Sequence, residues 1–182
     1  MTEPLDGYRI LRKLGEGPRA EVLLAHAGDD EAIALKRYRR DVPVHEVLAE
    51  LTALERAGGP HSVRLLDVAV EADGTPVAVL ERLGGGSLGR LLLDRSALSP
   101  GEAVTLLAPI ALAVARLHDA GVLHGGIRPE AVLFDEAGTP TLAAFGRARL
   151  VDAALPPAAR EAEPGFAADR AALLGVAGAV LD

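Results

Sequence analysis

The sequence contains no cysteine, which excludes both a disulfide framework and thiolate chemistry. Acidic side chains outnumber basic ones by 26 to 19, so the chain lacks the basic surface that nucleic-acid binding requires. No apolar run follows a basic N-terminal stretch, so no signal peptide is predicted. The longest apolar stretch, Ala171–Leu181, is too short to cross a bilayer as a helix, so no membrane segment is predicted. We therefore expect a cytoplasmic protein, or the cytosolic part of a longer membrane protein.

Two other residue classes are scarce in ways that bear on function. Lys13 and Lys36 are the only lysines, although the chain has 19 basic residues. Serine, threonine and tyrosine are all absent from Leu142 to Asp182, so this stretch cannot be phosphorylated on a hydroxyl group. The histidines that could be metal ligands show no spacing typical of a metal site, and we predict none. These histidines are His26, His45, His61 and His118.

The chain nevertheless has enough apolar residues to fold. Its 182 residues are 49% hydrophobic, which suits one sizeable core or two small lobes around a cleft. The first part alternates strand patterns with turns, and a helical pattern over 42–57 ends at Gly58-Gly59-Pro60. The predicted strands are Tyr8–Leu14, Glu21–Ala25, Glu31–Tyr38, Val63–Val70 and Pro76–Arg82. We predict a small antiparallel sheet that carries one helix.

After the glycine run Gly84–Gly86 the pattern becomes mostly helical. Ser99-Pro100-Gly101-Glu102 is a capping box with proline in the first turn, and its helix should run to about Ala120. Two short strands, Ala131–Phe134 and Thr139–Ala143, flank a hairpin turn. The pattern then predicts a loop over 151–165 and a last helix over 167–181. The fold class expected from both halves is α+β.

Three features of the first part suggest a phosphate-binding cleft. Gly15 and Gly17 lie between two predicted strands, where they form either an ordinary hairpin turn or a loop whose backbone approaches a phosphate closely. Pro18 removes one backbone donor from this turn. Lys36 stands in a strand of a chain that otherwise prefers arginine, and a lysine is a compact point charge. Glu50 follows on the predicted helix, with Glu46 and Glu55 as competing partners for this lysine.

These features, taken in order, resemble the bacterial serine/threonine protein kinase family. They are followed by Gly84-Gly85-Gly86-Ser87-Leu88, by His124-Gly125-Gly126-Ile127-Arg128-Pro129-Glu130-Ala131-Val132-Leu133-Phe134, and by Ala143-Ala144-Phe145-Gly146. The match covers residues 8 to about 150, and Asp169 continues it. The resemblance implies a protein-kinase-like two-lobe fold. Its N-lobe would cover residues 1–83, and a truncated, mostly helical C-lobe would cover residues 84–182.

The resemblance also identifies lost functional groups. The family has an aspartate, an asparagine and a second aspartate at the positions of Gly126, Ala131 and Ala144. The first accepts the proton of the substrate hydroxyl, and the other two hold magnesium on the phosphates. Arg128 replaces the lysine of the catalytic loop. Since the loss of a general base alone slows a reaction by about 10² to 10⁴, the resemblance implies a degenerate member, a pseudokinase.

A second loss concerns regulation. In the family, an arginine beside the catalytic aspartate often pairs with a phosphate on the activation loop, and here that position is Gly125. The phosphate receptor and every hydroxyl that could carry the phosphate are therefore missing together. We expect that this segment is not ordered by its own phosphorylation.

The positions that would surround a nucleotide are largely retained. Val22, Ala34 and Leu133 match residues that sandwich an adenine, and Leu80 precedes a hinge over Glu81–Leu83. Leu54, Leu65, His124 and Phe145 match the stack of side chains that links the lobes. All of these could equally be core residues that need no ligand. The candidate nucleotide-binding residues are Gly15, Gly17, Val22, Ala34, Lys36, Glu50, Glu81, Leu83 and Leu133.

Two functions follow from this reading. The first is a catalytically inactive pseudokinase that acts as a regulatory or scaffold module for a protein partner. It needs no cofactor, and any ATP binding would be independent of magnesium. The second is a divergent serine/threonine protein kinase, or another ATP-dependent phosphotransferase, in which Glu130 or Asp135 replaces the lost acids.

Overall fold

The computed structural model describes residues 7–28, 31–95, 97–152, 155–156, 158–159 and 162–181. A five-stranded antiparallel sheet with one helix is followed by a mostly helical part, so the predicted α+β, two-lobe fold class is confirmed. The sheet has the strand order β1-β2-β3-β5-β4. Its strands are β1 (Tyr8–Glu16), β2 (Ala20–Ala27), β3 (Glu31–Tyr38), β4 (Leu65–Val70) and β5 (Pro76–Glu81). Asp29 and Asp30, which lie between β2 and β3 in the sequence, are outside the described residues.

The two faces of the sheet have different roles because successive side chains of a strand point to opposite sides. Ile33 and Leu35 of β3 lie in a buried apolar cluster with residues of β2 and β5. The intervening residues of β3, Ala34 and Lys36, therefore face the other side. Tyr38, which also faces that side, packs with Val47 of the following helix. The cleft-facing residues of β3 are thus fixed by the strand's alternation.

Helix α1 (Val44–Arg56) lies within the predicted range 42–57. Its buried residues are Val47, Glu50, Ala53 and Leu54, a helical spacing of three or four that forms one stripe. One of the four is a glutamate, which is buried in proteins almost only when it is paired. The helix therefore presents a single carboxylate to the interior, in the middle of an apolar face.

In the described part of the chain after β5, the longer elements are three α-helices, joined by two pairs of short strands. Ser99 and Glu102 form the predicted capping box, in which each side chain accepts a hydrogen bond from the other residue's backbone N–H. Ile110 and Leu117 of the capped helix are fully buried. The elements are α2 (Leu88–Asp94), α3 (Pro100–Asp119), β6 (Val122–Leu123), β7 (Val132–Phe134), β8 (Pro140–Leu142), β9 (Arg149–Leu150) and α4 (Pro164–Leu181).

Three elements differ from the sequence-based expectations. Helix α2 was not predicted, and neither was the two-residue pairing of β6 with β9. Helix α4 begins at Pro164, three residues before the predicted start, because proline is well tolerated in the first turn of a helix. Within the predicted loop over 151–165, residues 153–154, 157 and 160–161 lie outside the described part of the chain.

The glycine run after β5 passes very close to β7. Gly85 N–H donates to the backbone oxygen of Phe134 over 2.8 Å, and Phe134 N–H donates to Gly86 over 2.9 Å. A Cβ atom at Gly85 would collide with the backbone oxygen of Asp135. Close backbone packing against the β7–β8 hairpin therefore accounts for Gly85, and a φ of 85° favours glycine at Gly86. The predicted boundary between residues 83 and 84 remains a prediction.

By length and composition alone, α3 and α4 could each cross a membrane. Helix α4 is 18 residues long, which exceeds the apolar stretch that the sequence suggested. The core helix of a soluble protein meets the same criteria, so the observation is weak support for a membrane span. Both helices bury residues in the core, including Ile110 of α3 and Val180 of α4. The cellular location remains a prediction.

Candidate functional site

The cleft face of the sheet carries an ion pair between Lys36 and Glu50. Lys36 Nζ donates a hydrogen bond to Glu50 Oε1. The side chain of Glu50 is only 4% exposed and that of Lys36 is 14% exposed, so solvent screens the pair weakly. Glu50 is thus the partner chosen among the three glutamates that the sequence offered, because Glu46 and Glu55 lie outside the buried stripe of α1.

Tyr38 completes the surroundings of this pair. Lys36 Nζ lies 5.2 Å from the centre of the Tyr38 ring, within the range of a cation–π contact. Burial, and next the negative charge of Glu50, raises the pKa of Tyr38 far above its usual range. The tyrosine is therefore a neutral, packed side chain. The lysine is held from two sides, by a carboxylate and by a ring.

The glycine turn between β1 and β2 is closed by its own hydrogen bonds. Gly17 N–H donates to Ala20 O over 2.8 Å, and Pro18 has no N–H to offer. Two of the amides that could have pointed at a phosphate are therefore unavailable. Gly15 lies opposite Val22 in the β1–β2 ladder. The structure thus places both predicted glycines at the hairpin, and it weakens their expected role as a phosphate cradle.

The predicted adenine-facing residues share the cleft side of the sheet. Val22 pairs with Lys36 across β2 and β3, and Ala34 pairs with Leu80 across β3 and β5. Directly paired residues of an antiparallel ladder point to the same face. Leu133 of β7, from the other lobe, packs against the large core cluster that Leu80 and Leu83 also contact.

Glu81, the first residue of the predicted hinge, is occupied by another contact. Its N–H donates to Arg64 O over 3.1 Å, and its carboxylate accepts from both the backbone N–H and the Nε of Arg64, each over 2.8 Å. The side chain of Glu81 is thus committed to the β4–β5 edge of the sheet. Whether these residues contact a nucleotide remains a prediction.

His124 and Asp169 fix the backbone at the start of residues 124–134, the catalytic-loop segment. The Asp169 carboxylate accepts from the N–H groups of His124 and Gly125, over 2.8 and 2.9 Å, and lies 3.1 Å from His118 Nε2. Burial by itself raises the pKa of Asp169, but the hydrogen bonds from His118 and the two amides outweigh it and hold the pKa below its usual value. Asp169, which the sequence placed only as a continuation of the motif series, is an anchor of the site.

The imidazole of His124 is a buried, neutral group. Its Nε2 lies 2.9 Å from the backbone oxygen of Ala143, an acceptor only, so Nε2 carries the proton. Its Nδ1 then accepts from Gly126 N–H over 3.2 Å. Burial lowers the pKa of His124. The ring also packs edge-on against Phe145, with 4.8 Å between ring centroids, as two adjacent members of the predicted stack.

The three degenerate positions lie in a backbone frame that is intact. Ala143 N–H donates to Ala131 O over 2.8 Å, which brings the segments carrying Ala131 and Ala144 side by side. Gly126 is fixed to His124, as described above. Ala144 has the left-handed conformation, with φ of 63° and ψ of 48°, which is uncommon for a residue other than glycine, asparagine or aspartate. The backbone at these three positions is held by hydrogen bonds, and Gly126, Ala131 and Ala144 have no acid or amide side chain.

The residues present do not fit a magnesium ion. Mg²⁺ needs oxygen ligands, usually one or two carboxylates together with phosphate oxygens. Ala131 is fully buried and Ala144 is exposed, and neither has an oxygen on its side chain. Among the described residues, no group of three or more histidine, aspartate or glutamate side chains could hold a metal ion.

The two candidate replacement acids, Asp135 and Glu130, are engaged in other contacts. Asp135 accepts hydrogen bonds from the N–H groups of Ala137 and Thr139, over 2.9 and 2.7 Å, within the β7–β8 turn. The bonds from Thr139, the largest cause, lower the pKa of Asp135. Glu130 is 62% exposed and lies 3.5 Å from Arg128, itself on the surface. None of these contacts of Asp135 and Glu130 involves Gly126.

The backbone at Gly125, the predicted phosphate-receptor position, disfavours a side chain. Gly125 has a φ of 67°, a left-handed conformation that favours glycine. A Cβ atom there would lie 2.6 Å from the backbone oxygen of Arg147, closer than side chains can approach. An arginine at this position would require the segment after Gly146 to move. By contrast, a Cβ atom at Gly126 would have only ordinary contacts, the nearest being Arg128 at 3.5 Å.

Arg19 is a site residue that sequence reasoning missed. It lies at the tip of the β1–β2 hairpin, and its Nη1 donates to Gly146 O over 2.7 Å. Its Nη2 lies 2.5 Å from a carboxylate oxygen of Glu46 on α1. The residues are 127 positions apart in the first contact, so no local pattern indicates it.

Comparison with known proteins agrees with this geometry. Residues 8–171 match the protein kinase domain family. The chain is 35% identical over 159 residues to the Serine/threonine-protein kinase PkaB of Streptomyces coelicolor, covering 80% of this chain and 37% of that protein. It is 35% identical over 168 residues to CBL-interacting protein kinase 22 of Oryza sativa, with the same shares. It is 38% identical over 79 residues to the Serine/threonine-protein kinase PknL of Mycobacterium tuberculosis, covering 43% of this chain and 20% of that protein.

The chain thus spans little more than a third of the length of the first two relatives, 37% in each case. The matched segment includes the sheet, the Lys36–Glu50 pair, the catalytic-loop segment and Asp169. The matched range, the fold and the order of the motifs all lead to one assignment. The chain belongs to the protein kinase domain family.

Proposed function

We propose that this domain is a pseudokinase, which does not transfer a phosphoryl group and serves as a regulatory or scaffold module for a protein partner. The observation that carries the proposal is the absence of acid or amide groups at Gly126, Ala131 and Ala144, within a backbone frame that is otherwise assembled. Phosphoryl transfer depends almost entirely on positioning and on charge stabilisation by metal ions. A cleft without metal ligands has lost the larger part of that stabilisation.

The absence of a phosphorylation switch supports the same function. The left-handed backbone of Gly125 and its contact with Arg147 O leave no room for a receptor arginine. No hydroxyl group occurs beyond Thr141 that could carry a phosphate. A segment without receptor and acceptor cannot be switched by its own phosphorylation. This suits a module whose shape is recognised by a partner.

The packed framework supports a role that depends on shape. Of the four residues of the predicted stack, Leu54, His124 and Phe145 are each at most 2% exposed, and Leu65 is partly buried against the same core cluster. The Lys36–Glu50 pair ties β3 to α1 although no metal ligands remain beside it. In the proposed module these contacts maintain the fold itself. Its cleft would take a nucleotide only without magnesium, through Lys36 and the apolar wall formed by Val22 and Ala34.

A second candidate function is a divergent kinase, and the specific observation in its favour is the same ion pair. In an active kinase, the lysine at the position of Lys36 binds the α- and β-phosphates, and the glutamate at the position of Glu50 holds that lysine in place. This candidate further needs a base and metal ligands. Asp135 is engaged in the β7–β8 turn and Glu130 is paired with Arg128 on the surface, which favours the pseudokinase.

A thermal-shift titration with ATP tests whether any ATP binding by the domain depends on magnesium. The chain is titrated with ATP in EDTA and then in excess magnesium, with Lys36→Met as the matched control for binding in the cleft. We expect magnesium to add nothing to any shift, because Ala131 and Ala144 provide no ligand oxygen. A larger shift with magnesium that Lys36→Met abolishes would support the divergent kinase instead.

A further inference from the structure

The guanidinium of Arg19 joins three elements at the mouth of the cleft. It extends from the β1–β2 hairpin, donates to Gly146 O over 2.7 Å, and pairs with Glu46 of α1 at 2.5 Å. Hydrogen bonds with a charged partner are about twice as strong as neutral ones. The side chain is 34% exposed, so its inner part is shielded from water.

Gly146, whose backbone oxygen accepts the hydrogen bond from Arg19, lies close to the Lys36–Glu50 pair. A Cβ atom at Gly146 would be 3.4 Å from Lys36 Nζ and 3.8 Å from Glu50 Oε2. Gly146 therefore lies close to the ion pair, and its backbone oxygen accepts the hydrogen bond from Arg19. A guanidinium bound to Gly146 O therefore lies near the part of the cleft where the phosphates of a nucleotide would meet Lys36.

The hairpin that carries Arg19 is itself fixed in position. Arg39 N–H donates to Arg19 O over 2.9 Å, and Arg39 Nε donates to Gly17 O over 3.3 Å. The Arg39 guanidinium also pairs with Glu16 at the end of β1. The hairpin is therefore held to the end of β3 by its backbone and to the cleft by Arg19. A loop held in this way is not free to close over a phosphate.

We propose that Arg19 is the closing residue of this cleft, an internal cation that holds the β1–β2 hairpin on Gly146 and α1 and must be displaced before a nucleotide can bind. The inference rests on the proposed function, since an enzyme that turns over could not keep its phosphate site covered. It deepens that function, because the module has a cleft that is closed by its own chain. Glu46, the partner of Arg19 on α1, is a positioning residue for the closure.

The opposite role is open to the same side chain, since an arginine is also a good ligand for phosphate. The two roles predict opposite signs for one substitution. If Arg19 closes the cleft, its removal tightens nucleotide binding. If Arg19 binds the phosphates, its removal weakens it.

The experiment is a calorimetric titration of the full chain with ATP in EDTA, comparing wild type with Arg19→Ala and Arg19→Met. We expect both variants to bind ATP about tenfold more tightly than wild type, or measurably where wild type shows no binding. Arg12→Ala, which removes an exposed arginine of β1 in the same hairpin, is the control for net charge and should leave the affinity unchanged. Adding Lys36→Met together with Glu50→Leu to Arg19→Ala should remove the gain, since the gain arises in the cleft; the paired change leaves no uncompensated buried carboxylate that would unfold the control.

Hydrogen exchange of the same samples supplies a readout that does not depend on ATP. Amides over residues 15–20 and 144–147 should exchange faster in Arg19→Ala than in Arg12→Ala. If Arg19→Ala does not fold, Arg19→Met keeps the aliphatic stem, and Glu46→Gln should shift affinity in the same direction. Unchanged or weaker ATP binding in the Arg19 variants overturns the closure and leaves the proposed function standing. Phosphoryl transfer by wild type would refute the function without affecting the comparison of affinities.

Discussion

Replacing Lys36 by methionine should destabilise the domain strongly in the absence of any nucleotide. The substitution keeps the length of the side chain and removes its charge. Glu50 then stays in the core without its cation, at 4% exposure of its side chain. Breaking a buried pair by removing one partner typically costs about 3–5 kcal/mol. Because Lys36 is 14% exposed and water reaches its ammonium group in part, we expect about 3 kcal/mol.

Urea unfolding followed by circular dichroism measures this loss, and thermal melting provides a second reading. For a chain of this size, about 1 kcal/mol corresponds to about 2–4 °C in Tm, so Lys36→Met should melt about 6–12 °C lower. The double variant Lys36→Met/Glu50→Leu removes both charges and should recover to within about 1 kcal/mol of wild type. Its recovery would show that the uncompensated carboxylate, and not lost packing of Lys36, causes the loss.

Glu46→Gln is the matched control on the same helix. Its ion pair with Arg19 is 34% and 40% exposed on its two sides, so the substitution should cost no more than about 1 kcal/mol. If Lys36→Met costs as little as Glu46→Gln, the buried pair does not maintain the fold. The lysine would then be retained for a ligand, and the structural interpretation of the pair would be refuted.

Two further perturbations have a defined sign. Because burial lowers the folded-state pKa of His124 below its usual value of 6.5, the unfolded chain takes up a proton first and stability should fall as pH drops below about 6.5. Melting between pH 7.5 and 5.5 should show this slope, which His124→Gln should flatten and the exposed His45→Gln should leave unchanged; equal slopes in all three would contradict it. Ala144→Gly should raise stability by about 1 kcal/mol because Ala144 is left-handed, with φ of 63°. The control Ala148→Gly, at φ of −63°, should lower it, and destabilisation by both would argue against strain at Ala144.

Local signals in the sequence predicted much of the fold. Strand β3 has the bounds that alternation gave, Glu31–Tyr38, and the capping box at Ser99 starts α3 as expected. Helix α2 was missed because its seven residues follow a glycine run and contain too few turns for a helical period to show. The pairing of β6 with β9 was missed because two residues per strand carry no pattern.

The site was predictable where a motif fixes a residue and unpredictable where a long-range contact does. Lys36, Gly126, Ala131 and Ala144 follow from the order of the family's motifs, and Glu50 follows from helix spacing. Arg19 carries no such signal, because its contact with Gly146 spans 127 positions and depends on how the hairpin lies against the rest of the cleft. The strain at Ala144 could not be predicted from the sequence either, because alanine does not favour a left-handed backbone and so gives no sign of one.

A phosphoryl-transfer assay tests the central claim most directly. The purified chain is incubated with labelled ATP and magnesium or manganese, with a generic protein substrate and without one, beside an active kinase and beside Lys36→Met. Loss of the base alone predicts a rate lower by about 10² to 10⁴, and loss of the metal ligands lowers it further. We expect no transfer above that of Lys36→Met. Transfer by wild type that Lys36→Met abolishes would contradict the account.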